Sequence, residues 1–152
     1  LSSARRAEIY DAILKNANVG VGVATVEEID KLNILQATFL AMQRAYSLLG
    51  ITPDVALIDG NKCPQLNCTT KAVIGGDARC PSIAAASIIA KVTRDRIMTE
   101  LSYEYPQYGW ERNAGYGTAL HQNALKNFGI TPYHRRSYKP IQLFLEAAKL
   151  ST

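Results

Sequence analysis

Two aspartates in this sequence each follow a short apolar run and adjoin glycine. Asp59 comes directly after residues 55–58, and Asp77 follows residues 72–74 after two glycines. A short apolar run bounded by turn residues predicts a strand that is buried on both faces. The carboxylates at the ends of neighbouring strands can face one another, and such like charges are tolerated when a cation lies between them. The pattern therefore predicts a divalent-metal site at the carboxyl edge of a sheet.

Both aspartates also have ordinary structural interpretations. Asp59 and Gly60 can form the turn that follows a strand, as Asp-Gly pairs often do. Asp77 can cap the helix that follows it, and its two preceding glycines suit a tight turn in either case. The local sequence leaves both interpretations open.

Other acidic residues are weaker candidates for metal binding. Glu27, Glu28 and Asp30 lie at the start of a short helical segment, where carboxylates usually serve solvation and the helix dipole. Asp95 lies within a long predicted helix, one turn after Lys91. An ion pair between these two residues is the favoured interpretation.

Candidate substrate contacts are found in the last third of the chain. Tyr116 lies between two glycines, so its ring can lie flat against a sugar or base, or alternatively fold back on the core. Arg135, Arg136 and Lys139 carry fixed positive charges that suit contacts to phosphates.

Helices and strands that could position these residues follow from hydrophobic periodicity. Alternation of valine with glycine or alanine over residues 19–24 predicts a strand, one face of which allows close packing of another element. Ser2 or Ser3, Asn33 and Thr118 are predicted helix caps. The remaining predicted elements are helices over residues 3–16, 34–49, 82–103, 118–127 and 139–150, and strands over 55–58 and 72–74.

Composition indicates one globular domain. The chain has 152 residues, 47% of them hydrophobic and 20% charged, with a net charge of +4 that permits an anionic partner. No apolar run is long enough to span a membrane, and no signal peptide is evident, so we expect a cytoplasmic protein without a membrane partner. Three cysteines without a C-x-x-C pair are expected to be reduced thiols. The chain does not begin with methionine and opens in helical sequence, which suggests part of a longer protein.

Several blocks in their order along the chain resemble bacterial ribonuclease HII, and the resemblance covers essentially the whole chain. These blocks are Glu28-Ile29-Asp30, Leu57-Ile58-Asp59-Gly60, Gly76-Asp77, Tyr105-Pro106-Gln107-Tyr108-Gly109, Gly115-Tyr116-Gly117-Thr118 and His134-Arg135-Arg136-Ser137-Tyr138.

The resemblance implies an α/β ribonuclease H-like fold, with a mixed β-sheet flanked by helices and a C-terminal helical region. Its first strands are absent from this chain. Residues 1–110 would be the C-terminal part of the catalytic domain, and residues 111–152 a helical region that contacts substrate. The full-length protein is expected to be a monomer.

The resemblance also implies an endonuclease that cleaves the RNA strand of RNA·DNA hybrids and cuts 5′ to single ribonucleotides in duplex DNA. The cofactor would be Mg²⁺ or Mn²⁺. Asp59 and Asp77 match the third and fourth metal-binding carboxylates of the family, and Tyr116 matches the tyrosine that stacks on the sugar beside the ribonucleotide. Two classes of protein remain as alternatives: a non-catalytic nucleic-acid-binding module, and another ribonuclease H-fold nuclease that acts on DNA junctions.

Three departures from the family pattern affect these expectations. The segment with the first two carboxylates is absent, so residues 55–58 would face an unpaired edge, and we expect the isolated chain neither to fold stably nor to cleave hybrids. Asn113 and Ala114 stand where the family usually has His-Lys, which removes one positive contact to nucleic acid. Gly75 stands where lysine is common.

Overall fold

The structure is a computed structural model and describes residues 1–151. Helices precede and follow a small two-stranded sheet, and two 3₁₀ turns, Gly76–Ala78 and Pro106–Tyr108, each precede a longer helix. In chain order the elements are α1 (Ser3–Asn16), α2 (Val26–Leu32), α3 (Ile34–Ser47), β1 (Val55–Asp59), β2 (Thr69–Val73), α4 (Pro81–Glu104), α5 (Trp110–Asn113), α6 (Ala119–Phe128) and α7 (Lys139–Leu150).

Polar side chains cap four of the helices, since each accepts a hydrogen bond from an amide of the first turn. Ser2 caps α1, Asn33 caps α3 and Thr118 caps α6, as predicted. Thr25 caps α2 in a capping box with Glu28, whose carboxylate accepts from the Thr25 amide at 2.8 Å. The helix starts are thus determined locally.

The sheet pairs β1 with β2 in parallel, and Asp59 lies opposite Val73. This confirms that the two strands are neighbours. The second strand was predicted at residues 72–74 but occupies Thr69–Val73, because the ladder starts with the threonines opposite Val55 and Ala56. Ile74 lies beyond β2 and is 71% exposed.

Burial on both faces was predicted for β1, and this is wrong. Exposure alternates along the strand. Ala56 is half-buried and Ile58 is buried, whereas Val55 is 44% exposed and Leu57 is 39% exposed. Alternate side chains point to opposite faces of a strand. Since α4 contacts β1, one face of the strand is covered, while the other is open among the described residues.

A strand was predicted over residues 19–24, and this is also wrong. The segment between α1 and α2 has no strand partner among residues 1–151 and lies against α3 instead. A Cβ atom at Gly20 would lie 2.0 Å from the Ala45 carbonyl oxygen, and one at Gly22 would lie 2.0 Å from that of Ala41. The glycines therefore allow another element to pack closely on this segment, as predicted, but that element is helix α3.

The main apolar cluster joins α4 to the C-terminal helices. Met98, Tyr108, Trp110 and Ala124 form it, and the Tyr108 hydroxyl donates to the Gly129 carbonyl at 2.7 Å. The cluster includes residues on both sides of position 110, and the division into residues 1–110 and 111–152 stays a prediction.

Two expectations from composition can be compared with the structure. Cys63, Cys68 and Cys80 are free thiols, as predicted. Among residues 1–151, no helix combines the length and the apolar character that crossing a membrane requires.

We predict that Gly22→Ala destabilises the protein by about 1–3 kcal/mol, because a methyl group there must displace the α3 backbone. Equilibrium unfolding in denaturant measures the change. Gly117→Ala is the control, because its Cβ would lie 3.9 Å from the nearest atom outside its neighbours. Equal stability of the two variants would contradict the packing argument.

Candidate active site

Asp59 and the segment that contains Asp77 meet at the carboxyl edge of the sheet. The Gly76 amide donates to Asp59 Oδ1 at 2.8 Å, and Asp77 is the next residue. Both aspartates are exposed. Because a carboxylate has about four acceptor positions, this one hydrogen bond leaves Asp59 able to bind another group.

The two glycines before Asp77 allow this approach. Gly75 has a left-handed backbone with φ of 62°, which glycine adopts without strain. A Cβ on Gly76 would lie 2.5 Å from Ile83 Cδ1 and 3.3 Å from Asp59 Oδ1. A side chain at this position would therefore have to displace the end of the Ile83 side chain and would crowd Asp59 Oδ1.

The donor atoms at this edge fit a hard divalent cation, but they are few. Carboxylate oxygens are the ligands that Mg²⁺ prefers. Among residues 1–151, no group of three or more histidine, cysteine, aspartate or glutamate residues could hold a metal ion. Asp59 and Asp77 can thus supply part of a coordination shell.

The Tyr116 ring projects from a backbone that is tightly held. Its side chain is 66% exposed, which excludes the alternative of a ring folded into the core. The Tyr116 amide donates to the Asn113 carbonyl at 2.8 Å, and the Tyr116 carbonyl accepts from the Thr118 amide at 2.9 Å. Lys91 Nζ lies 6.0 Å from the ring centroid. The ring is presented to solvent from a fixed support.

The loop over residues 114–118, which we call the Tyr116 loop, is also attached to α4 and α5. Arg94 donates to the Ala114 carbonyl at 3.1 Å. The buried Asn113 side chain donates to the Tyr108 carbonyl at 2.7 Å and accepts from the Gly115 amide at 2.9 Å. Asn113, which departs from the family pattern, therefore shapes the loop.

Asp30 anchors the basic segment, residues 134–139, which leads into α7. Its carboxylate accepts from the Arg136 amide at 3.1 Å, the Ser137 amide at 2.9 Å and the Ser137 hydroxyl at 2.5 Å. Partial burial acts to raise the pKa of Asp30, but the hydrogen bonds from Ser137 and Arg136 outweigh it and hold the pKa below its usual value. The structure therefore gives Asp30 a positioning role. Residues 30 and 137 are far apart in the sequence, which gave no signal of this contact.

Glu28 and Asp95 are both engaged in ion pairs. Glu28 binds Arg44 at 2.6 Å, and chiefly this hydrogen bond lowers its pKa to about 2. Lys91 Nζ lies 2.8 Å from Asp95 Oδ1, which confirms the predicted ion pair.

A buried histidine pair next to the Tyr116 loop was not predicted. His121 and His134 are 6% and 7% exposed, and their Nε2 atoms lie 3.0 Å apart. Burial, followed by the neighbouring His121, lowers the pKa of His134 to about 4. The sequence gave no signal that these two residues are partners, because only the fold brings them together.

The other predicted contacts lie on the surface near α7. Arg135 is half-buried, and its guanidinium lies 4.7 Å from the Tyr138 ring centroid. The Arg136 and Lys139 side chains are exposed. All three are thus accessible to a ligand.

Comparison with known proteins identifies the family. A sequence model of ribonuclease HII matches residues 1–141. The chain belongs to the ribonuclease HII family. Ribonuclease HII of Gluconobacter oxydans is 55% identical over 149 residues, which cover 97% of this chain and 72% of that relative. Ribonuclease HII of Ruegeria pomeroyi is 55% identical over 146 residues, covering 95% of this chain and 62% of the relative.

A solved structure supports the fold. The ribonuclease H2 of Pyrococcus horikoshii OT3 matches with a TM-score of 0.73 at 23% identity, over 98% of this chain and 79% of that one. The predicted α/β ribonuclease H-like fold, the resemblance to bacterial ribonuclease HII and the enzyme class are confirmed.

We predict that the contribution of Glu28 to stability depends on pH. The folded-state pKa lies below the ordinary value of 4.5, so the contribution is fully present above that value and is lost as the pH falls toward about 2. The difference in unfolding free energy between the wild type and Glu28→Gln should therefore shrink over this range. Glu8→Gln, which removes an exposed pair with Arg5, is the control. A pH-independent difference would contradict the prediction.

Proposed function

We propose that this chain provides Asp59 and Asp77 to the metal site of a ribonuclease HII. That enzyme hydrolyses the RNA strand of RNA·DNA hybrids and cuts 5′ to single ribonucleotides in duplex DNA. The observation that carries the proposal is the hydrogen bond from the Gly76 amide to Asp59 Oδ1, which brings the residue before Asp77 against the other carboxylate. Family membership supplies the enzyme class.

The proposed cofactor is Mg²⁺ or Mn²⁺, held in part by Asp59 and Asp77. Two such cations, when bound, would activate the attacking water and stabilise the charge on the leaving 3′ oxygen. The role of the chain is to present two anionic oxygen donors at a rigid sheet edge. The products would carry a 5′-phosphate and a 3′-hydroxyl.

Substrate contacts are assigned to the two segments that the histidine pair joins. The exposed Tyr116 ring would stack on the sugar beside the ribonucleotide. Arg135, Arg136 and Lys139 would bind phosphates without reading sequence. Asp30 supports this assignment, because its hydrogen bonds to residues 136 and 137 hold the basic segment in place.

Two carboxylates carry too little charge to bind two divalent cations firmly, and no larger cluster exists among residues 1–151. We therefore propose that residues 1–152 alone are inactive. Activity would require further acidic residues, and the relatives are longer than this chain.

We expect Asp59→Asn in the full-length enzyme to reduce cleavage by at least about a hundredfold, because it removes a charged metal ligand. Hybrid binding should stay within about threefold. Asp54→Asn is the matched control, since Asp54 precedes β1 at the opposite end of the same strand. Cleavage of a hybrid and of a duplex with one ribonucleotide, in Mg²⁺ and in Mn²⁺, provides the measurement.

Comparable turnover of Asp59→Asn and the wild type would remove Asp59 from the metal site. A metal titration without any cleavage would favour a non-catalytic binding module. Preferential cutting of four-way DNA junctions over hybrids would favour a different nuclease of the same fold.

We predict that Arg136→Gln weakens hybrid binding and lowers the slope of log K against log salt by about 1, since one phosphate contact is lost. The Arg136 amide still donates to Asp30 in this variant. Lys15→Gln, at the end of α1, is the charge-matched control and should leave the slope unchanged. Equal slopes for all three proteins would exclude Arg136 from phosphate binding.

A further inference from the structure

A continuous chain of hydrogen bonds joins Thr131 to Tyr116 through the two buried histidines. The Thr131 amide lies 2.9 Å from His134 Nδ1, and the Thr131 hydroxyl lies 3.0 Å from the same atom. The two Nε2 atoms are 3.0 Å apart, and His121 Nδ1 lies 3.0 Å from the Tyr116 carbonyl oxygen. Each contact is within hydrogen-bond distance.

The chemistry of the end groups fixes the direction of this chain. The Thr131 amide can only donate, so His134 Nδ1 accepts and the proton of the neutral ring is on Nε2. His121 Nε2 must then accept, which places the His121 proton on Nδ1. That proton is donated to the Tyr116 carbonyl, which can only accept. One tautomer of each ring therefore satisfies every contact.

The packing around the rings prevents easy rearrangement. The Tyr108 ring centroid lies 5.2 Å from that of His134 and 5.9 Å from that of His121. Trp110 stacks on Tyr108 and contacts both histidines. A metal role is not supported, because no third histidine, cysteine or acidic ligand joins the pair among residues 1–151.

This series of hydrogen bonds connects the two proposed substrate-binding segments. His134 immediately precedes Arg135, and His121 binds the backbone of Tyr116, whose ring is exposed. We propose that His121 and His134 are positioning residues, which hold the Tyr116 loop and the basic segment at a fixed separation for the substrate. This inference rests on the proposed function of Tyr116.

Nuclear magnetic resonance of the isotope-labelled full-length enzyme tests the hydrogen-bond chain without using activity. Histidine nitrogen shifts should show the Nδ1–H tautomer for His121 and the Nε2–H tautomer for His134. A scalar coupling between the two Nε2 nitrogens should be detectable across the hydrogen bond. An Nε2–H tautomer for His121, or charged rings at neutral pH, would overturn the inference.

Two substitutions of His121 separate its contacts. In His121→Asn the side-chain amide takes the place of Nδ1–H and can still donate to the Tyr116 carbonyl. In His121→Gln the amide takes the place of Nε2 and faces His134, so the donor to Tyr116 is lost. Each substitution breaks one link between the two segments, so we expect both to raise KM for a ribonucleotide-containing duplex about fivefold. A KM within about twofold of the wild type for either variant would overturn the inference.

Combining these variants with Tyr116→Ala distinguishes the failure of this inference from that of the proposed function. If His121 acts through the Tyr116 ring, His121→Gln should raise KM no further in the Tyr116→Ala background. A rise of the same factor in both backgrounds would overturn the positioning role while keeping Tyr116 in substrate binding. If Tyr116→Ala alone leaves KM unchanged, the proposed function of Tyr116 fails and the inference with it.

Discussion

The hydrogen bond from the Gly76 amide to Asp59 Oδ1 is the contact on which the candidate metal site depends. It requires parallel pairing of β1 with β2, a turn directly after β2 and a residue without a side chain at position 76. These requirements are met because Gly75 adopts a left-handed backbone and Ile83 of α4 fills the space beside Gly76. The sheet edge thus holds the two aspartate segments together, which at the proposed metal site would reduce the cost of ordering the ligands.

The two proposed substrate-binding segments are held by a second, largely polar, set of contacts. Asp30 fixes the basic segment, the histidine pair joins that segment to the Tyr116 loop, and Arg94 and Asn113 attach the loop to the body of the domain. Asn113, His121 and His134 are the buried members of this set, and buried polar groups are rigid when each has a partner. The arrangement leaves the Tyr116 ring and the arginine side chains accessible while their backbones are fixed.

Local features were predicted well from the sequence, whereas long-range contacts were predicted poorly. The helix caps at Asn33 and Thr118 and the two neighbouring strands that end near Asp59 and Asp77 were predicted from nearby sequence. The strand predicted over residues 19–24 was wrong because the same glycines suit packing on a helix. The contacts of Asp30 and the histidine pair depend on residues brought together only by the fold, so no local pattern reports their partners. The roles of Asp59, Asp77, Tyr116, Arg135, Arg136 and Lys139 in binding remain predictions.

The central claim is that Asp59 and Asp77 share bound cations. Calorimetric titration of the full-length enzyme with Mn²⁺, using wild type, Asp59→Asn, Asp77→Asn and the double variant, tests it most directly. Shared ligation predicts that each single substitution weakens binding and that the double variant loses less than the sum of the two losses. Mn²⁺ affinity that is unchanged by either substitution, or losses that add independently, would contradict the account.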